Sequence, residues 1–323
     1  MDFLQTTFPI SGVTTNVLLP PLVSLVISFF TSMGGISGAF LILPFQMSVL
    51  NYTAPSVSGT NHVYNIIAIP SGVYRYIKEG RMAWPLTWVV IAGTLPGVFI
   101  GYYLRVLYLP DPKTFKLFVG CVLLYIGTRL FKDLLFPDKE RSAAARSLEE
   151  KFKARTAEIK KEQHSKIAAG IPADAVVKTI SVSLNKVVYE FWGERFSFST
   201  IGMFSLAFIV GIIGGAYGIG GGAIIAPFCV AFFHLPIYTI AGATLMGTFI
   251  TSVAGALFFS FLPATNGISP MPDWSLGFLF GVGGFIGMYL GAKTQKYVPQ
   301  KFIKVFVGSA IVFLAIKYIV QYF

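Results

Sequence analysis

Two apolar stretches of this chain are too long to be single membrane-spanning helices. They cover residues 17–50 and 200–233, whereas about 20 helical residues cross the hydrocarbon core of a bilayer. At 1.5 Å per residue, either stretch would be roughly 50 Å long as one helix. Each contains a glycine-rich segment followed by a proline, and both residue types are unfavourable inside a helix. We therefore predict a broken helix in each stretch.

The two breaks have similar sequences. The first contains Gly34, Gly35, Ser37 and Gly38 and is followed by Pro44. The second contains Gly218, Gly220, Gly221 and Gly222 and is followed by Pro227. Close helix packing by small residues explains isolated glycines well. It explains two such runs within oversized apolar stretches less well, so we favour a functional role for the breaks.

Composition identifies the protein as a polytopic membrane protein. Mean hydropathy is +0.70 and only 12% of residues are charged, about half the fraction of an ordinary soluble domain. Outside the polar segment 138–194, the carboxylates lie near the ends of apolar stretches, and none lies within an apolar core. The net charge of +11 is typical of lysines and arginines in cytoplasmic loops, so it does not predict nucleic-acid binding.

Charge asymmetry orients the predicted spans. Six further apolar stretches fit one crossing each: residues 57–77, 84–104, 115–136, 238–262, 274–290 and 302–320. The basic segment 138–195 is predicted to be cytoplasmic, and Arg75, Lys78 and Arg81 fall on the same side. Each oversized stretch then begins and ends on one side, which predicts V-shaped hairpins with the glycines at their tips.

An alternative topology has eight simple spans that are kinked at the glycines. The hairpin topology places Arg105, Lys113 and Lys116 outside, which the positive-inside rule disfavours. The sequence alone does not decide between the hairpin topology and the eight kinked spans.

The two halves of the chain resemble each other. Trp84 matches Trp274, and the glycines at 93, 97 and 101 match those at 283, 287 and 291. A hairpin plus three spans is an odd number of crossings, so the second copy is inverted relative to the first, as in many secondary transporters. We predict an all-α membrane protein with repeats at residues 1–136 and 198–323, separated by a cytoplasmic insert at 137–197.

The insert has a different character from the rest of the chain. Residues 141–166 are rich in Ala, Glu and Lys and predict an exposed helix. Ile180, Val182 and Leu184 alternate with polar residues, which indicates a strand, and residues 187–191 are a candidate hairpin partner. A regulatory domain and a solvated linker both fit this pattern.

The paired motif resembles the sulfite exporter TauE/SafE family. The resemblance rests on the two glycine runs closed by Pro44 and Pro227, and on residues 74–84, which look like the family's second-to-third connection. It covers both membrane halves but not the insert. It implies a multi-pass permease of the bacterial inner membrane for sulfite, sulfonates such as sulfoacetate or related sulfur anions, often an exporter. Neither substrate nor direction follows from it.

The chemistry expected at the breaks suits an anion. Helix N-termini offer free N–H groups and the positive end of a dipole, and glycine allows close approach of a ligand. From the second span we add Thr60, Asn61, His62 and Asn65, and from the sixth Thr244 and Thr248. Polar groups at membrane depth are usually buried or functional.

His62 is the only imidazole within a predicted span, and it is a candidate for proton coupling or anion contact. A neutral histidine that bonds two helices is an equally open reading. Arg75 and Lys78 could attract anions to the cytoplasmic mouth, although orientation is their commoner role. No clustered side chains indicate a metal or a cofactor, the bilayer is the expected surrounding, and a homodimer is left open.

Two rival functions remain. Ser37 between glycines, together with His62, superficially resembles an intramembrane serine protease, which needs its nucleophile and base within hydrogen-bond reach. The second break repeats the glycines without the serine, which counts against that reading. An uncoupled anion channel is the other alternative, and no ring of charges supports it.

Overall fold

The computed structural model describes residues 4–33, 36–78, 80–135, 147, 150–151, 154, 176–263, 269–294 and 300–323. Within this part, ten α-helices dominate the fold. The first half contains the strands β1 (Gln5–Thr7) and β2 (Thr14–Asn16) and the helices α1 (Leu19–Met33), α2 (Ala39–Ser48), α3 (Ser56–Lys78), α4 (Trp84–Tyr103) and α5 (Pro112–Leu135). A π-helical turn, Leu104–Tyr108, extends α4.

Three strands precede the second half: β3 (Val177–Val182), β4 (Lys186–Phe191) and β5 (Glu194–Ser199). The remaining helices are α6 (Thr200–Tyr217), α7 (Gly222–Phe233), α8 (Ile237–Phe261), α9 (Trp274–Thr294) and α10 (Gln300–Val320). Within the described residues, four helices are long and apolar enough to cross a membrane: Trp84–Tyr108, Thr200–Tyr217, Thr239–Phe261 and Trp274–Thr294. The prediction of a helical polytopic membrane protein is confirmed.

Both oversized stretches are broken, as predicted. In the second, Gly218 ends α6 with φ 86° and Gly220 has φ 73°, a left-handed conformation that glycine adopts without strain. The chain then reverses, because Cys229 Sγ on α7 lies 3.8 Å from Met203 Sδ near the start of α6. The second break is therefore the tip of a hairpin and not a kink.

The first break also reverses the chain. A Cβ atom built on Gly38 would lie 3.3 Å from the Cα atom of Ser28, which is more than one turn before the end of α1. The backbone N–H of Ile36 donates to the carbonyl of Thr31, which continues the end of α1 into the turn. Gly34 and Gly35 lie outside the described residues.

Helices α3 and α8 form an antiparallel pair along most of their length. Near the start of α3, His62 lies against Gly255 of α8; near its end, Tyr76 lies against Gly242. Because glycines occur at both contacts, side chains of α3 reach the backbone of α8. This pair brings the polar residues of the two helices together.

Glycine stripes attach each hairpin to the opposite half. Cβ atoms at Gly93, Gly97 and Gly101 of α4 would overlap backbone atoms of α6. Cβ atoms at Gly283, Gly287 and Gly291 of α9 would overlap carbonyl oxygens of α1 in the same way. The matched stripes agree with an inverted repeat, which itself stays a prediction.

The three strands form an antiparallel sheet in the order β3-β4-β5. Two of these strands were predicted from the sequence. The third, β5, was missed, although its Phe196 and Phe198 alternate with Arg195 and Ser197, a pattern that indicates a strand. The predicted helix at 141–166 lies almost wholly outside the described residues. The boundaries of the insert stay a prediction.

The sheet lies at one end of the helix bundle and contacts both halves there. Val177 N donates to the carbonyl of Gly80, which follows α3, over 2.9 Å. Tyr189 Oη lies 2.8 Å from Thr239 Oγ1, at the start of α8, and burial raises the pKa of this tyrosine. We call this the sheet end of the bundle and the opposite one the far end.

Candidate functional site

Asn65, in the middle of α3, connects the two helix breaks. Ser37 Oγ, in the first break, donates a hydrogen bond of 2.6 Å to Asn65 Oδ1. The amide Nδ2 of Asn65 donates to the carbonyl of Ile219 in the second break, over 3.0 Å, and to Ser252 Oγ of α8, over 3.1 Å. All four groups belong to one buried network.

Two further side chains of α3 contact the hairpins. Asn61 Nδ2 donates to the carbonyl of Ala39, the first residue of α2, over 3.0 Å. Ser58 Oγ donates to the carbonyl of Ala216, at the end of α6, over 3.0 Å. The other amide atom of Asn61, Oδ1, is buried and has no hydrogen-bond partner among the described residues. One face of α3 therefore contacts both breaks and keeps an unused acceptor there.

His62 lies next to this network and is fully buried. Its ring packs 5.9 Å from that of Phe259, and Gly255 leaves room for it on α8. The backbone of Gly215 is nearby, yet neither ring nitrogen has a partner with hydrogen-bond geometry among the described residues. Unpaired buried polar atoms are rare and costly, so a ligand that carries hydrogen-bonding groups is a natural partner for this ring.

The hydroxyls of α8 behave differently from the side chains of α3. Thr244, Thr248 and Thr251 each donate to a carbonyl of their own helix, at 3.2, 2.8 and 2.7 Å. Only lone pairs remain for other groups, and Thr251 Oγ1 accepts from Gly221 N over 3.3 Å. Gly222 packs directly on the carbonyl of Thr244. Helix α8 is therefore a close-packed wall for the second break.

Thr60 does not face the breaks. Its hydroxyl donates to the carbonyl of Ser56, lies 3.0 Å from Tyr52 Oη and accepts from the backbone N–H of Asp273. Asp273 directly precedes α9, and its Oδ1 accepts from Leu276 N in the first turn over 3.0 Å. Burial raises the pKa of Tyr52 to about 12, and its hydrogen bonds partly offset the rise. Thr60 therefore connects α3 to the far end of the bundle.

The structure places most of the predicted site residues together and leaves three apart. The residues that lie at the breaks or on the helices packed against them are Ser37, Gly38, Asn61, His62, Asn65, Gly218, Gly220, Gly221, Gly222, Thr244 and Thr248. Thr60 lies toward the far end. Arg75 and Lys78 are near the sheet end, where Arg75 is about 15 Å along α3 from Asn65.

The sequence analysis missed some buried polar groups. Gln46 on α2 is fully buried, and both its amide atoms lack a partner among the described residues. Tyr64 of α3 lies 2.8 Å from Ser28 Oγ, which attaches α3 to the first hairpin. A glutamine inside an apolar run is a visible signal, whereas the position of Tyr64 emerges only from the fold.

The positions of Ser37 and His62 do not match a serine nucleophile hydrogen-bonded to its base. Ser37 Oγ donates a hydrogen bond to Asn65 Oδ1 and accepts one from Ala39 N over 3.3 Å. His62 has no hydrogen bond to Ser37. The nucleophile–base pair that a protease requires is therefore not formed.

Two broken helices that meet around a polar network are characteristic of secondary membrane transporters. The sequence matches the family described as Sulfite exporter TauE/SafE over residues 21–318, and the chain belongs to that family. No solved structure matches the chain significantly.

Two curated proteins of Bacillus subtilis (strain 168) are similar to this chain. The "Probable membrane transporter protein YunE" is 22% identical over 300 residues, which are 90% of this chain and 92% of that protein. The "Probable membrane transporter protein YdhB" is 28% identical over 116 residues, 36% of this chain and 44% of that protein. Both names agree with a membrane transporter.

Proposed function

We propose that this protein is a secondary transporter, working as an exporter, for a small sulfur-containing anion such as sulfite or an organosulfonate. The observation that carries the proposal is the convergence of both helix breaks on Asn65, beside the unpartnered polar atoms of His62 and Asn61. The family relationship supports the class of substrate.

The electrostatics of the described residues favour an anion. Asp273 is the only buried carboxylate among them, and its oxygens are occupied by Ser11 and by the start of α9. Helices α2 and α7 begin at the breaks, so their N-termini lie there. Helix N-termini bind anions through backbone N–H groups. A sulfonate or sulfite placed there would meet donors and no negative side chain.

His62 is the proposed proton carrier. Its neighbours on the packed helices are the ring of Phe259, Gly255 and the backbone near Gly215, and none of these carries a charge. A protonated imidazole would have an anion in the site as its counter-charge, which would couple proton and substrate binding.

Orientation follows from charge. The positively charged residues near the sheet end include Arg75, Lys78, Lys178, Lys186 and Arg195. We therefore assign the sheet end, with the insert, to the cytoplasm and the far end to the outside of a bacterial inner membrane.

The test uses purified protein in liposomes. Thermal-shift measurements with sulfite, sulfate, thiosulfate, taurine, isethionate and sulfoacetate should show stabilisation by at least one of them, since a bound ligand stabilises the native state. That anion should then be transported, faster with an imposed pH gradient. If no sulfur anion either stabilises the protein or crosses the bilayer, the proposed substrate class is wrong.

The rival functions predict other results. An uncoupled channel would give flux that is indifferent to the pH gradient. A protease would cleave a membrane-embedded peptide and lose that activity in Ser37→Ala, without any anion flux.

A further inference from the structure

The side chain of Arg105 is fully buried at the far end of the bundle. It belongs to the π-helical turn Leu104–Tyr108, which follows α4. Because π-helical turns often occur at functional sites, the local backbone is a first indication that this residue has a functional role. In the sequence, Arg105 was only one of three positive charges that the hairpin topology places outside, and its burial was not predicted.

Among the residues that the structure describes, the hydrogen-bond partners of Arg105 are all neutral. Its Nε donates to Ser58 Oγ over 3.3 Å, its Nη2 donates to the carbonyl of Thr53 over 3.0 Å, and its Nη1 donates to the carbonyl of Leu109. The guanidinium lies over the ring of Phe115, 3.6 Å from its centroid. Within the part of the chain that is described, Arg105 makes no ion pair with a carboxylate.

A buried cation without a counter-ion is expensive. The desolvation of an ion costs several kcal/mol even after the protein relaxes around it, and neutral acceptors replace only part of its hydration. Charged residues within membrane segments usually mark an ion or substrate pathway. An anion that visits Arg105 would supply the missing negative charge.

Ser58 connects Arg105 to the second helix break. Its hydroxyl accepts from Arg105 and donates to Ala216 at the end of α6. Gly218, the first residue of the break, packs directly on the backbone of Ser58. The guanidinium is therefore separated from the break by a single side chain.

Resting on the function proposed above, we infer that Arg105 forms a second anion subsite, between the helix breaks and the outside. The planar guanidinium can offer two parallel N–H groups to two oxygens of a sulfite or sulfonate. Lysine cannot reproduce that geometry. The anion moves from one of these two sites to the other as it crosses the outer half of the protein.

The experiment measures transport in right-side-out and inverted membrane vesicles that contain wild type, Arg105→Gln or Arg105→Lys. The control is Lys113→Gln, which removes an exposed positive charge next to the far end. In right-side-out vesicles the anion enters from the far end, so Arg105→Gln should raise KM at least tenfold and Arg105→Lys severalfold. In inverted vesicles KM should stay near the wild-type value, and Lys113→Gln should resemble wild type in both.

A merely structural arginine gives another pattern. The variants would then show lower melting temperatures and less folded protein, with an unchanged KM on both sides, and the subsite would be refuted. If Arg105→Gln does not fold, the KM of Arg105→Lys tests the subsite instead, and an unchanged KM in that variant would again refute the subsite. Failure of the proposed function looks different, because wild type itself would transport no sulfur anion.

Discussion

Helices α3 and α8 pack against each other and occupy positions that the predicted repeat makes equivalent, yet their polar side chains are used differently. Asn61 and Asn65 of α3 reach across to the backbone of both hairpins. Thr244, Thr248 and Thr251 of α8 donate to their own helix. One helix carries the recognition groups and the other provides a compact surface, so a symmetric scaffold can hold an asymmetric site.

The largest expected effect is at Asn65. Asn65→Leu would leave the carbonyl of Ile219 and the hydroxyl of Ser37 without their buried partner. Two such losses together cost about 3 kcal/mol, which corresponds to a roughly 100-fold fall in flux if they support the transporting state. The matched control is Phe249→Leu, at the equivalent position of α8. Equal losses in the two variants would remove the functional distinction between the helices.

The glycines at the starts of α7 and α2 should differ in tolerance. In Gly222→Ala the new methyl group would overlap the carbonyl of Thr244, a backbone atom that cannot rotate away. In Gly38→Ala it would meet the side-chain oxygens of Tyr64 and Ser28, which can move. Overpacking against backbone should cost about 1–3 kcal/mol. Denaturation in detergent should show the larger loss for Gly222→Ala, and a larger loss for Gly38→Ala would contradict the packing argument.

His62 and Met246 provide the third comparison. His62→Gln keeps a polar side chain but cannot carry a proton near neutral pH, so transport should persist and lose its response to a pH gradient. Met246→Leu, at the equivalent position of α8, should keep the response. Flux measured with and without the gradient separates these outcomes. A fully pH-responsive His62→Gln would end the proton-carrier proposal.

The smallest effects are expected at single hydroxyls. Ser37→Ala removes one hydrogen bond to Asn65, and Thr251→Val removes the acceptor for Gly221 N. Each should lower the free energy of unfolding by about 1 kcal/mol. Only Ser37→Ala should also weaken anion binding, as read from the ligand-induced thermal shift. If Thr251→Val weakened binding equally, α8 would have to be counted among the recognition elements.

The sequence predicts the framework of the fold well because the membrane imposes simple lengths. Residues 17–50 and 200–233 could not be single helices, and the structure breaks both of them. The stripe Gly93, Gly97 and Gly101 was visible as a repeat, and its function as a packing surface follows from small size alone.

The contacts within the site were less predictable. Asn65 was selected because it is polar at membrane depth, but its partners on two hairpins depend on how α3 packs in three dimensions. The burial of Arg105 was not predicted, because a charge at the end of an apolar run has the same sequence pattern whether it is exposed or buried. The π-helical turn that contains Arg105 was not predicted either.

The glycine stripes also determine which parts of the protein can move. Helix α1 contacts α9 at backbone distance, and α6 contacts α4 in the same way, so neither pair can slide without a steric clash. In any transport cycle that opens the site first to one side and then to the other, α1 must therefore move together with α9, and α6 together with α4. Each of these two units contains one helix from each half of the chain. Spin labels attached at the exposed positions Leu22→Cys of α1 and Phe285→Cys of α9 should therefore keep one separation throughout the transport cycle, and a change in that separation would show that α1 and α9 move apart. The moving units of the transporter are then not its two sequence halves.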